Sequence, residues 1–282
     1  MSIFALVLLG QVGAAPAIGA DPLQLPAEVR DRKPRTRQVQ TVEAPPGPQI
    51  DGCIAEMETD PVHGADAARK ALAEAKGEER VRAGLCLGIA LTQLERWDEA
   101  QRAFSTARSS AMPDDHASRA RLGSMAGNAA FAGGQPDSAL ALFDSAQTEA
   151  RQAGDGALGG AIAIDRARAL VTLGRNDEAA AALAEARALA PDNAQAWLLS
   201  ATLSRRMDKL LEAQAQIEKA AQIAPEDPET GLEAGVIAML SGREDAARRS
   251  WQSVLATAPE SAAAATAKGY LAQLGNGGPA KP

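Results

Sequence analysis

Three prolines fall at a fixed interval. Pro191 in "ARALAPDN", Pro225 in "AAQIAPED" and Pro259 in "LATAPES" are each separated by 34 residues. Proline removes an interior helix hydrogen bond and clashes with the preceding turn, so it stops a helix. A stop returning on that schedule points to a chain of stacked units rather than one mixed core.

A second pattern runs in phase with the first. The heptapeptides "LERWDEA", "GGQPDSA", "LGRNDEA", "MDKLLEA" and "SGREDAA" end at Ala100, Ala139, Ala179, Ala213 and Ala247, spaced 39, 40, 34 and 34 residues apart. Each reads as a turn followed by an acidic residue near a helix start, where carboxylates suit the exposed amides and the positive end of the dipole. Four and seven residues beyond those alanines lie Phe104 with Ala107, Phe143 with Ala146, Leu183 with Ala186, Ile217 with Ala220, and Trp251 with Val254. That spacing is one face of an α-helix. Upstream, Gly88, Gly127, Ala167, Ala201 and Gly235 form a small-residue stripe on a preceding helix, which lets two helices approach closely. One such pair cannot bury its apolar face alone, whereas a stack of pairs can.

The pattern resembles the tetratricopeptide repeat, a helix–turn–helix unit of 34 residues with small residues at positions 8, 20 and 27, a large residue at 24 and proline at 32. Taking Gly160, Ala194 and Pro228 as first residues puts the three prolines at 32, Trp197 at 4 and Trp251 at 24. The resemblance implies an all-α fold, a right-handed α-solenoid of five repeats over residues 81–261. A degenerate leading helix pair at 51–77 precedes them, and a capping helix at 262–274 covers the last repeat. The first two repeats run long, and Arg166 and Ser200 stand where the family places leucine. Either those helices are rotated or Arg166 pairs with Asp165 or a neighbouring acid.

The ends read differently. Residues 1–20, "MSIFALVLLGQVGAAPAIGA", have a short apolar run followed by small residues, the form of a cleaved secretory signal although no basic residue precedes the run. An N-terminal membrane anchor is the alternative, but the run falls well short of the roughly 20 residues a spanning helix needs. The expected location is therefore exported and periplasmic, without stable membrane insertion. Residues 21–50 are rich in proline, carry five basic residues between Arg30 and Arg37 and read as a disordered linker; residues 275–282 read as a disordered tail. Cys53 and Cys86 are the only cysteines. A disulfide between them would stabilise by roughly 3–4 kcal/mol; two apolar packing thiols are the alternative.

Nothing in the sequence points to catalysis, a metal or a cofactor. His63 and His116 are the only histidines, and neither has ligand spacing with Cys, Asp or Glu. "GALGGA" at 156–161 lacks the Lys-Ser/Thr of a phosphate loop. A net charge of −7 excludes general nucleic-acid binding, which needs a basic footprint.

Binding is what the resemblance implies: the first helix of each repeat lines a concave groove. The matching positions give Arg82, Leu85 and Thr92, then Arg121, Ser124, Asn128 and Phe131. Ile164, Arg168 and Val171 follow, then Leu198, Thr202, Arg205 and Arg206, and last Leu232, Val236 and Met239. Arginines on one inner face suit a protein or peptide segment bearing carboxylates; the alternative is pairing with acids on adjacent helices. A self-associating element of an envelope assembly and a binder of an anionic polymer are the other readings. The carboxylate clamp that some relatives use is matched only by Asn128.

Overall fold

In the computed structural model, residues 60–276 are described. The segments expected to be a signal and a linker, Cys53, the start of the expected leading pair and the last six residues lie outside them. The described residues form twelve α-helices joined by short turns, with no strand among them.

Helix α1 (Pro61–Glu74) is capped by Asp60, whose carboxylate accepts from the amides of Val62 and His63 at 3.0 Å each. Five helix pairs follow: α2 (Gly77–Gln93) with α3 (Trp97–Ser110), α4 (His116–Ala132) with α5 (Pro136–Ala153), α6 (Gly156–Thr172) with α7 (Asn176–Leu189), α8 (Ala194–Arg206) with α9 (Leu210–Ile223), and α10 (Pro228–Leu240) with α11 (Glu244–Thr257). Helix α12 (Ala262–Asn276) closes the series. Each second helix packs on the first helix of the next unit, and first helices also meet side by side, as α4 with α6, α8 with α10, and α10 with α12. The described residues are therefore an α-solenoid.

The heptapeptides are Schellman turns. Their second residues, Glu95, Gly134, Gly174, Asp208 and Gly242, all have positive φ, between 55° and 74°. The next amide reaches back five residues: Arg96 to Leu91, Gln135 to Ala130, Arg175 to Leu170, Lys209 to Ser204 and Arg243 to Ala238, at 2.8–2.9 Å. That bond satisfies a carbonyl the helix end would leave orphaned. The same five residues then cap the second helix through their backbone carbonyls, without a side-chain cap.

The prolines work at the opposite edge. Pro191, Pro225 and Pro259 follow the cap residues Ala190, Ala224 and Ala258, which have left helical geometry, as a residue before proline is pressed to do. Two residues past each proline comes the cap of the next helix. Asn193 accepts from Gln195 and Ala196, Asp227 from Thr230, and Ser261 from Ala264. Asp115, two residues after Pro113, does the same for Ser118. Between the second and third units Gly154, at φ +66°, ends the helix, and Asp155 caps the next by accepting from Leu158.

Inside each pair, large meets small. Phe104, Phe143, Leu183, Ile217 and Trp251 are all buried. The glycines at 88, 127 and 235 lie against the rings of Phe104, Phe143 and Trp251, where a Cβ would overlap the ring atoms. Where the large residue is aliphatic, as Leu183 and Ile217 are, the small one is alanine. Trp251 also donates from Nε1 to the Leu232 carbonyl at 3.2 Å and meets Tyr270 of α12 with ring centroids 5.0 Å apart, which seats the capping helix.

The departures at positions 166 and 200 have local answers. Arg166 donates from Nε to Asp144 Oδ1 at 2.6 Å, on the preceding second helix. Ser200 is buried and returns its hydroxyl to the Ala196 carbonyl at 2.7 Å.

Candidate functional site

First helices α4, α6 and α8 lie in sequence, and the last turns of all three meet around one cavity of about 290 Å³. Phe131 comes from α4, Arg168 and Val171 from α6, and Thr202 and Arg206 from α8. These five were all expected to face the groove. Leu199 and Leu203 of α8 and Leu183 of α7 add an apolar floor that the spacing argument did not identify, because those positions read as core. The cavity is a nonpolar recess with two guanidinium groups and threonine hydroxyls at its sides.

The arginines are not equivalent. Arg168 Nη1 donates to Asp165 Oδ1 at 2.7 Å, one helical turn earlier, and Asp165 Oδ2 accepts from Asn128 Nδ2 of α4 at 3.1 Å. Asp165 thus ties α4 to α6 and takes up much of the positive charge of Arg168. Arg205 grips Glu233 of α10 with both edges of its guanidinium, Nε–Oε1 at 2.6 Å and Nη2–Oε2 at 3.2 Å. That fork clamps neighbouring units and turns Arg205 away from an external partner. Arg121 stands 3.7 Å from Asp155. Arg206, exposed at the mouth of the cavity, has no ion pair or side-chain hydrogen bond among the described residues.

Other groove candidates lie elsewhere. Leu198 is half-buried on α8, and its carbonyl accepts from Thr202 Oγ1 at 3.1 Å. Leu85 and Ile164 are buried, packing the core rather than facing a partner. Arg82 stands apart at a second recess of about 230 Å³ with Glu78, Ser110 and Met112. Met239 ends α10 with Leu240; they are 39% and 56% exposed, a bare apolar ledge on the unit next to Arg206. Cys86 is half-buried on α2, while Cys53 lies outside the described residues.

One cluster escaped the sequence reading altogether. Glu149 of α5 is 8% exposed. It receives Arg119 Nε at 2.8 Å and His116 Nδ1 at 2.8 Å from α4, and Arg108 Nη2 at 3.3 Å from α3. Arg108 also donates to Ser145 Oγ at 2.7 Å. Burial pushes the Glu149 carboxyl upward, but the hydrogen bonds from His116 and Arg119 and the charges of Arg119 and Arg108 outweigh it, holding the group below its ordinary range. The cluster is a bolt through three helices. Residues so scattered in sequence carry no motif, and only the stacking brings them together.

Among the described residues no group of three or more His, Cys, Asp or Glu could hold a metal ion, and no helix is long and apolar enough to cross a membrane.

Residues 85–157 and 164–228 match the family described as tetratricopeptide repeat. No curated protein matches the chain. Among solved structures, PilW, described as a widely conserved type IV pilus biogenesis factor, superposes with a TM-score of 0.61 at 19% identity, covering 77% of this chain and 95% of its own. BtubC from P. vanneervenii gives 0.58 at 16% identity over 83% of this chain and 95% of its own. YrrB, described as a TPR protein with an unusual peptide-binding site, gives 0.50 at 20% identity over 73% of this chain and 99% of its own. At these identities the likeness is one of fold.

Proposed function

Because the chain belongs to the tetratricopeptide repeat family, we propose that it is a non-catalytic scaffold for protein–protein interaction, taking a partner segment on the face built by its first helices. The observation that carries this reading is the apolar cavity between α4, α6 and α8 with an unpaired arginine, Arg206, at its mouth. A cavity of about 290 Å³ is at the small end for a cofactor site and suits one large apolar side chain of a partner. The exposed guanidinium gives a neighbouring carboxylate a fork to bind. The partner segment is accordingly acidic as well as apolar.

The place of action in this proposal is the bacterial cell envelope. It rests on the secretory form of residues 1–20, and in a compartment of that kind Cys53 and Cys86 pair. PilW is named for pilus biogenesis and YrrB for peptide binding; both descriptions accord with an interaction role. Fractionation of cells, with maleimide labelling before and after reduction, tests location and pairing together. Envelope recovery with thiols labelled only after reduction is expected. Cytoplasmic recovery with both thiols labelled at once contradicts the envelope reading.

The scaffold itself is tested by crosslinking capture from envelope extract, comparing the protein with its Thr202→Trp and Arg206→Glu variants. A protein captured by the parent and lost from both variants supports the site. Equal capture by all three removes it. A second reading, self-association through another face, is favoured by Leu211, which stands 92% exposed on α9 away from the cavity. Sedimentation of the protein and a Leu211→Glu variant separates the two: a dimer lost in the variant supports self-association, and a monomer in both cases removes it.

A further inference from the structure

The inner face alternates along the stack of first helices. It has an apolar recess, then a cation, then an apolar ledge. Arg206 is the last residue of α8, and Leu240 is the last residue of α10, two helices of 13 residues each that pack side by side. Arg206 therefore stands between the recess lined by Val171 and Leu199 and the ledge of Met239 and Leu240. Charge is sorted the same way. Arg168 is held by Asp165 and Arg205 by Glu233, so that among the described residues of this recess and ledge Arg206 is the cation open to a visitor.

We propose, building on the groove reading above, that this face recognises an extended segment with two bulky apolar residues four positions apart and an acidic residue midway between them. Helices α8 and α10 pack side by side, at about 8–10 Å, and the recess opens on the opposite flank of α8, which puts it roughly 12–15 Å from the ledge on α10. An extended chain rises about 3.3 Å per residue, so four residues span about 13 Å. In such a chain the first, third and fifth side chains point the same way. The first fills the recess, the third presents its carboxylate to Arg206, and the fifth covers Met239 and Leu240. Arg206 is then the residue that sets specificity, because it rewards an acid and repels a base at the middle position.

The test is selection of a random 12-residue peptide library on the full chain, followed by fluorescence anisotropy with the consensus peptide. Expected is enrichment of the apolar–x–acid–x–apolar pattern, with binding weakened at least tenfold when the peptide acid is changed to lysine. Arg206→Glu reverses that charge preference, and Leu240→Asp weakens the parent peptide at least fivefold; both positions are exposed, and unchanged helicity and melting temperature verify the fold. Peptides that are lost on Thr202→Trp but show no acid preference, or whose preference ignores Arg206→Glu, overturn this inference and the acidic character of the partner, and leave standing only the cavity as the place where a partner binds. Peptides indifferent to Thr202→Trp, or a library without binders, count against both.

Discussion

Gly127 of α4 lies against the ring of Phe143 of α5 so closely that a Cβ on the glycine would stand 2.5 Å from Cε1. Phe143 is buried, so the ring has nowhere to retreat. The relationship predicts that Gly127→Ala destabilises the protein, although alanine is the better helix former by about 1 kcal/mol. Overpacking of this kind costs about 1–3 kcal/mol, leaving a net loss of about 1 kcal/mol at the middle of that range. Pairing it with Phe143→Leu recreates the alanine–leucine match of Ala167 with Leu183. Denaturant unfolding of both singles and the double should show the double more stable than the sum of the singles.

The turn residues predict the opposite sign elsewhere. Glu95 and Asp208 occupy left-handed backbone, at φ 55° and 61°, where three of the five equivalent turns have glycine. A side chain there costs about 1–2 kcal/mol, against roughly 0.5–1 kcal/mol for the extra freedom glycine loses on folding. Glu95→Gly should therefore raise stability by about 0.5–1 kcal/mol. Asp208→Gly should gain less, because aspartate tolerates this region better. Gly174→Ala, at φ 74°, should lose stability in the same thermal melts.

Removing the carboxylate of Glu149 should cost more than removing any surface acid. Glu149→Gln leaves Arg108 and Arg119, with side chains 21% and 24% exposed, without their counter-ion. A fully buried pair broken in this way costs about 3–5 kcal/mol; partial exposure brings the expectation to about 2 kcal/mol.

The same group makes stability depend on acid. Its folded pKa is depressed below 4.5, with burial opposing and the His116 and arginine contacts prevailing. Its contribution is therefore present in full above the unfolded-state value and disappears as pH falls through the lower folded one. Urea midpoints measured from pH 6 down to pH 3 should fall more steeply for the parent than for Glu149→Gln, and parallel curves would contradict the assignment.

How much of this was legible in sequence follows from what each feature depends on. The stack, the large–small pairs and the proline stops depend on residues at fixed intervals within one unit, so Phe143 over Gly127 and Trp251 over Gly235 could be read from spacing. The site needed more. The groove positions implied by the resemblance brought Phe131, Arg168, Val171, Thr202 and Arg206 to one face, but they could not separate Arg205, spent on Glu233, from Arg206, which is open. That difference is set by side-chain geometry across units with no fixed interval. The cap residues Asn193, Asp227 and Ser261, each two places after a proline, keep the same interval, so the turns that stop one helix also start the next.

A partner held at the cavity between α4, α6 and α8 is caught in place by photo-crosslinking in living cells. A photoreactive amino acid is placed at Thr202, at the cavity, or at Ala184, exposed on the second helix α7. A discrete crosslinked adduct is expected from position 202, abolished by Arg206→Glu, and none from position 184. No adduct at 202, or the same adduct from 184, would contradict a partner held there.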